Sequence, residues 1–370
     1  MTDPRLTPLA ASLPDTVPFV GPETQQRRMG REFTARLGAN ESVFGPSPRA
    51  IEAMQAAARD VWMYGDPEAH ELRHAVAAHH GIAPEHIRVG EGIDGLLGLL
   101  VRLTVAQGDW VVTSEGGYPT FDYHVTGFGG RIEQVPYESD RVDTKGLIER
   151  AGWTGAKLVY IANPDNPMGG LQGARAIHEM IEALPQGALL VLDEAYAEFA
   201  PEAERPEIDP TDERVIRLRS FSKAHGLAGA RVGYAIGPAP LIAAFDRVRN
   251  HFGLGRISQA GAHAALADRD HLAHVVSQVA AARARIAAIA HDNGLAPLPS
   301  STNFVAIDCG GDGAFARRVM TGLGARGVFV RMPGVAPLDR CIRVTAGREA
   351  DLDTFAAALP EALEEARAAP

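Results

Sequence analysis

The stretch 219-RSFSKAHGLAGARVGY-234 sets one lysine, Lys223, between two serines and a glycine-rich run, with Arg231 eight residues further on. A lysine normally keeps its charge in water. One that is desolvated at a strand end loses its proton and can attack a carbonyl carbon to form a Schiff base. The surroundings suit that role: 215-VIRL-218 alternates like a strand, and 226-GLAG-229 offers small residues where backbone can approach a ligand. Two other runs follow apolar strands in the same way, 163-NPDNPMGG-170 and 193-DEAYAEF-199, and the second begins with a carboxylate, Asp193, at the edge of an apolar layer. In open α/β sheets ligands bind beyond the carboxyl ends of the strands, so these three ends define one candidate site.

The elements that must position these groups are legible as alternation. From roughly 50 to 250, short β-rich runs alternate with helical patterns, which predicts an α/β domain with a mostly parallel sheet flanked by helices. The candidate strands are 110-WVVT-113, 158-LVYIA-162, 189-LLVL-192 and 215-VIRL-218. Beyond 255 the pattern changes. Val275, Val279, Ala282, Ile286 and Ile289 recur at helical spacing until Asn293-Gly294, and strands at 304-FVAI-307 and 341-CIRV-344 complete a smaller α+β domain. The expected organisation is an N-terminal arm over 1–30, a small domain from 31–50 and 255–370, and a large domain over 51–254.

Composition narrows the function. The chain has 370 residues, 46% hydrophobic and 22% charged, as an ordinary globular protein has. Its formal net charge of −10, without a basic run, argues against nucleic acid as a partner. Only Cys309 and Cys341 are present, and not as a CxxC pair, which points to a reducing compartment without a disulfide framework. The N-terminus MTDPRLTPLAASLPDTVPF lacks an apolar signal core, and no apolar run is long enough to span a bilayer, so a cytoplasmic location is expected.

Two motifs offer other chemistries. Residues 90-GEGIDG-95 match G-x-G-x-x-G, with Glu115 twenty positions later, as a nicotinamide-dependent oxidoreductase would have. The more general reading is phosphate binding at a helix N-terminus, and the plain one is a tight turn capped by Asp94. Residues 70-HELRH-74 match H-E-x-x-H, a zinc motif on a helix, but no third ligand is announced and an amphipathic helix explains them.

A lysine, an acid, an Asn-Pro turn, a nearby tyrosine and a phosphate-type glycine turn are the parts that pyridoxal phosphate requires: an amine for its aldehyde and a carboxylate that keeps the ring nitrogen protonated. Asn166 and Tyr196 are placed to hydrogen-bond the ring's phenolic oxygen. Seven ordered blocks, 37-LGANESVFGPSP-48, 64-YGDP-67, 163-NPDNPMGG-170, 193-DEAYAEF-199, 220-SFSKAHGLAGARVGY-234, 302-TNFV-305 and 341-CIRVTAGRE-349, resemble the fold-type-I aminotransferases of class I/II. Within them the resemblance is greatest to the histidinol-phosphate aminotransferase group.

That resemblance implies a transaminase with an amino-acid donor and a 2-oxo-acid acceptor. It makes Lys223 the Schiff-base lysine and proton carrier, Asp193 the pyridinium partner and Tyr118 the aromatic stacked on the ring. It assigns the cofactor phosphate to the N–H groups of Ile93 and Asp94, the hydroxyls of Ser220 and Ser222, and Arg231. It implies a homodimer in which Tyr64 reaches the neighbouring subunit's phosphate site. Arg343 would grip the substrate carboxylate, Arg331 the substrate phosphate, and Asn40 and Asn303 would line the same cavity. Where that group commonly has tyrosine at 18-PFVGPE-23, and proline with an aromatic at 250-NHFGLGR-256, this chain has Phe19 and His251-Phe252. Aromatic or other amino-acid donors are therefore alternatives, as is a cofactor-dependent decarboxylase.

Overall fold

A computed structural model of the protein describes residues 5–14 and 20–368. Seven strands form the large sheet in the order Ile87–Gly90, Gly233–Ile236, Val215–Ser220, Leu189–Asp193, Leu158–Ala162, Trp110–Ser114 and Arg131–Val135. The last five run parallel; Gly233–Ile236 is antiparallel to both of its neighbours. The four strands expected in this region are present, some one or two residues longer than the sequence pattern predicts.

Period-two alternation decides which side chains reach the site. Leu158, Tyr160, Val191, Ile216 and Leu218 pack on one face against Leu96, Leu97 and Leu100 of the helix Gly92–Thr104. Val159, Ile161, Leu190 and Leu192 fill the opposite face against the helices Thr144–Thr154 and Ala174–Glu182. Continued by one step, the alternation puts Asp193 and Ser220 on the face of Tyr160, and Glu194 on the other.

The second sheet has Phe304–Asp308 between Cys341–Thr345 and Ala296–Pro297, all antiparallel. The expected long helix is Arg269–Asp292; Val275, Val279, Ala282, Ile286 and Ile289 are its buried face, and Gly294 turns away at φ 73°. It shares one core with the helix Glu349–Ala368 and with the strands Phe304–Asp308 and Cys341–Thr345. Ala35–Arg36 pairs in parallel with Val328–Phe329, and Thr345 donates its N–H to the Leu37 carbonyl, which delivers Asn40 between the two sheets. The helix Arg256–Ala267 packs on Pro48–Ala57 and His70–His80 beside Phe221.

In the arm, helices Pro8–Ser12 and Pro22–Met29 are formed, and Glu23 pairs with Arg36 at 2.9 Å. Phe19 lies outside the described residues. No helix among those described is long and apolar enough to cross a membrane. The dinucleotide reading of 90-GEGIDG-95 is corrected here: the strand before it is the antiparallel edge of the sheet, whereas a dinucleotide unit needs a parallel strand beside its crossover partner. His70 and His74 do share a helix, but their rings lie 3.9 Å apart and His74 Nδ1 meets the His70 carbonyl at 2.8 Å. Among the described residues, no group of three or more His, Cys, Asp or Glu is arranged to hold a metal ion.

Candidate active site

A cavity of about 550 Å³ opens at the carboxyl ends of the parallel strands. Its walls bring together Asn40, Ile93, Asp94, Tyr118, Asn166 and Asp193 with Tyr196, Ser220, Ser222, Lys223, Arg231 and Arg343. At one end Asp193 is buried, its Oδ2 accepting from the Tyr160 hydroxyl at 2.8 Å and its Oδ1 from the Ala195 N–H at 3.0 Å. Burial pushes this carboxyl up to about 7, against the pull of those two donors.

Lys223 donates to the Asn40 carbonyl at 3.1 Å, and its Nζ stands 5.6 Å from the Tyr196 ring centre. Burial first, then the charges of Arg343 and Arg231, push it down to about 8, so an appreciable share is uncharged amine near neutrality. The Tyr196 hydroxyl receives hydrogen bonds from Asn40 Nδ2 at 3.0 Å and Asn166 Nδ2 at 3.4 Å. Arg343 Nη1 donates to Asn166 Oδ1 at 2.5 Å, while its buried Nε has no partner among the described residues.

The opposite end is built for an anion. The helix Gly92–Thr104 starts without a side-chain cap: Glu91 holds the cap position and makes no capping bond. Asp94 is therefore not the cap that a plain turn would need. Its Oδ1 accepts from the Tyr118 hydroxyl at 2.8 Å and its Oδ2 lies 3.7 Å from Arg231 Nη2. Arg231, itself at φ 53°, reaches Ser222 Oγ at 3.3 Å, and Ser222 donates its N–H to Ser220 Oγ at 3.0 Å. Gly92 has φ 76°, and a Cβ there would come within 2.5 Å of Arg231 Nη2, so the guanidinium can lie against the helix start only because the residue is glycine.

Residues 34–359 match the family model for aminotransferase class I and II. The chain belongs to this family. A histidinol-phosphate aminotransferase of Mesorhizobium japonicum is 36% identical over 335 residues, covering 89% of this chain and 90% of that one. One from Moorella thermoacetica is 31% identical, covering 98% and 94%. The crystal structure of histidinol-phosphate aminotransferase from Sinorhizobium meliloti in complex with pyridoxal-5′-phosphate matches with a TM-score of 0.95 and 53% identity over 98% of each chain. The oxidoreductase alternative therefore falls on family as well as on topology.

The cavity of this aminotransferase fits a planar aromatic aldehyde bearing a phosphate. The uncapped helix start, Ser220, Ser222 and Arg231 could hold the phosphate; Asp193 could face a ring nitrogen; Tyr118 flanks the space between them. Three predicted site residues lie elsewhere. Asn303 is buried behind the wall, donating to the Asn40 carbonyl at 3.0 Å. Arg331 lines a neighbouring cleft beside the helix Pro22–Met29, and its Nη1 donates to the Val20 carbonyl at 2.9 Å. Tyr64 is 75% exposed and stacks on Phe252, with ring centres 4.5 Å apart.

Two residues of the aminotransferase escaped sequence reasoning. Tyr160 reads as an ordinary strand residue; only its place three positions before Asn163, on the face of Asp193, hints at its bond to the acid. Glu194 is buried behind the site, with Arg217 Nη1 and Arg219 Nε each 3.0 Å from one of its oxygens. These pairs tie the end of Leu189–Asp193 to Val215–Ser220, the strand that leads to Lys223.

Proposed function

We propose that this aminotransferase uses pyridoxal 5′-phosphate to exchange an amino group between histidinol phosphate and a 2-oxo acid. The observation that carries the reading is the meeting, in one buried cavity, of a lysine at about 8 and a carboxylate with two fixed donors. Bound there, the cofactor supplies an aldehyde for Lys223 and a protonated ring that takes up electrons when the substrate's Cα–H bond breaks. Asp193 holds the proton on the ring nitrogen. Asn166 and Tyr196 donate to the phenolic oxygen, and Tyr118 covers one face of the ring. Lys223, once free, carries the proton from Cα.

Ile93, Asp94, Ser220, Ser222 and Arg231 grip the cofactor phosphate, joined by Tyr64 reaching across from a second copy of the chain. The exposure of the Tyr64–Phe252 stack and of Trp62 supports such a homodimer, because these large rings are otherwise left in water. Arg343 holds the substrate's α-carboxylate and Arg331 its phosphate; Asn40 and Asn303 shape the wall between them. Two free, buried cysteines agree with a cytoplasmic enzyme.

The test is a half-reaction screen that follows bleaching of the bound cofactor with histidinol phosphate and a panel of amino acids, after borohydride has been shown to fix the chromophore on Lys223. Bleaching fastest with histidinol phosphate is expected. Label on another residue would overturn the mechanism. Phe252, which has no hydroxyl to offer a phosphate, favours a second reading in which an aromatic amino acid is the donor; faster bleaching with phenylalanine or tyrosine would select it.

A further inference from the structure

Asp165 has no part in the chemistry described so far, yet it is a buried acid one residue from Asn166. Its Oδ1 accepts from the Tyr137 hydroxyl at 2.8 Å and its Oδ2 from the Met168 N–H at 2.9 Å. Its main chain closes the same turn, with its N–H on the Gly170 carbonyl at 2.7 Å and its carbonyl receiving the Gly169 N–H at 3.2 Å. These four bonds fix a turn that presents Asn166 between the Tyr196 hydroxyl and Arg343. A carboxylate accepts both bonds at once, whereas an asparagine at 165 with its oxygen on the Met168 N–H would turn its amide NH2 to the Tyr137 hydroxyl and reverse that bond. The turn therefore survives a neutral residue of the same shape, and what the carboxylate adds is a charge within reach of Arg343.

We propose that Asp165, clamped by Tyr137, is a positioning residue for the substrate-anion site: it fixes Asn166 against Arg343 and sets how much positive charge Arg343 offers an incoming anion. The proposal rests on the reading of Arg343 as the anion-binding arginine. The titratable or charged groups that face Asp165 are Tyr137, from the segment after Arg131–Val135, Tyr196 and Arg343. Burial lifts Asp165 to about 6, against lowering by the Tyr137 hydroxyl, the Met168 and Asn166 amides and Arg343. Above that pH the ionised acid offsets Arg343 and disfavours a second anion. Below it the acid is neutral and anions bind more tightly.

The experiment measures the dissociation constant of 2-oxoglutarate, which does not react with the aldehyde form of the holoenzyme, by calorimetry between pH 5.5 and 8. The wild type is expected to tighten roughly three- to tenfold as pH falls through about 6. Asp165→Asn should flatten that dependence, and Tyr137→Phe should move its midpoint up by roughly half a unit to one unit, because a donor that favours the ionised acid is lost. A wild-type pH dependence kept in Asp165→Asn, or an unmoved midpoint in Tyr137→Phe, overturns the proposal. Arg343→Lys separates the two readings: if it leaves the affinity unchanged, the role of Arg343 fails; if it weakens binding while Asp165→Asn behaves as wild type, the role of Asp165 alone fails.

Discussion

The main-chain carbonyl of Asn40 accepts the hydrogen bond of Lys223 Nζ at 3.1 Å. The side chain of the same residue donates to Tyr196 at 3.0 Å, its Oδ1 accepts from Thr345 Oγ1 at 3.1 Å, and its N–H donates to Thr345 Oγ1 at 3.1 Å. Asn40 achieves this at φ 54°, a left-handed conformation that asparagine tolerates better than most residues. One buried residue thus joins the strand that carries Arg343 to the lysine and tyrosine of the large sheet.

Asn40→Ala removes one of the two donors to the Tyr196 hydroxyl and the acceptor of the Thr345 hydroxyl, and forces a Cβ-bearing residue without local compensation into the left-handed region. A loss of about 2–4 kcal/mol in urea unfolding is expected. Asn40→Gly should lose about 1 kcal/mol less, since glycine enters that region freely. Equal losses would mean that the backbone conformation carries no strain.

Tyr160→Phe deletes one of the two donors that hold Asp193 ionised, so its pKa should rise from about 7 by roughly one unit. At neutral pH more of the acid would then be protonated and unable to serve a protonated ring nitrogen. Carbon-13 NMR of labelled aspartate in the apoprotein reads the titration directly, and cofactor affinity should weaken with it. An unshifted Asp193 resonance would leave Tyr160 with a packing role against Phe121 only, its ring 4.3 Å away.

The apoprotein should be least stable near neutral pH. Asp193 titrates at about 7 folded and near 3.8 unfolded, so between these values the folded state holds more protons and stability falls as pH rises. Lys223 titrates at about 8 folded and near 10.5 unfolded; there the unfolded state holds more protons and stability rises with pH. Each slope amounts to something on the order of 3 kcal/mol across its window. Urea unfolding from pH 4 to 10.5 should show the trough; Asp193→Asn should make its acid side shallower, leaving the part that Asp165 at about 6 contributes, and Lys223→Met should flatten its alkaline side.

The strands and the convergence of their ends were legible because apolar alternation is written locally: 158-LVYIA-162 and 189-LLVL-192 announce both themselves and the polar residues that follow. The blocks carried Asn40, Asn166, Tyr196, Lys223, Arg231 and Arg343 of the cavity wall, and 90-GEGIDG-95 carried Ile93 and Asp94. Contacts set by register between distant strands were not legible. Glu194 meets Arg217 and Arg219 only because Asp193 pairs beside Leu218, and 215-VIRLRS-220 reads as half-exposed when every residue in it is buried. Arg331 and Asn303 belong to motifs that flank the cavity, but that Arg331 bonds the Val20 carbonyl and Asn303 the Asn40 carbonyl depends on long-range packing that the motifs do not announce. Likewise 90-GEGIDG-95 spelled its glycines correctly for a helix start that can meet phosphate, while the antiparallel neighbour that excludes a dinucleotide unit, Gly233–Ile236, is set by long-range pairing.

The exposed Tyr64 gives the sharpest test of the proposed dimer, because the proposal assigns its contribution to the other subunit's cavity. Tyr64→Ala should weaken cofactor retention by removing one hydrogen bond to a charged group, about 1.5–3 kcal/mol, and Lys223→Ala should abolish turnover. Mixed and allowed to exchange, the two variants form heterodimers in which one site joins an intact Lys223 to an intact Tyr64 from across the interface, while the other site lacks both. At limiting cofactor, an equal mixture should therefore recover about a quarter of wild-type activity, since about half the dimers are mixed and each has one complete site. If Tyr64 served its own subunit, every site in the mixture would lack one residue or the other. Activity would then stay at the average of the two homodimers, and the cross-subunit role of Tyr64 would fail.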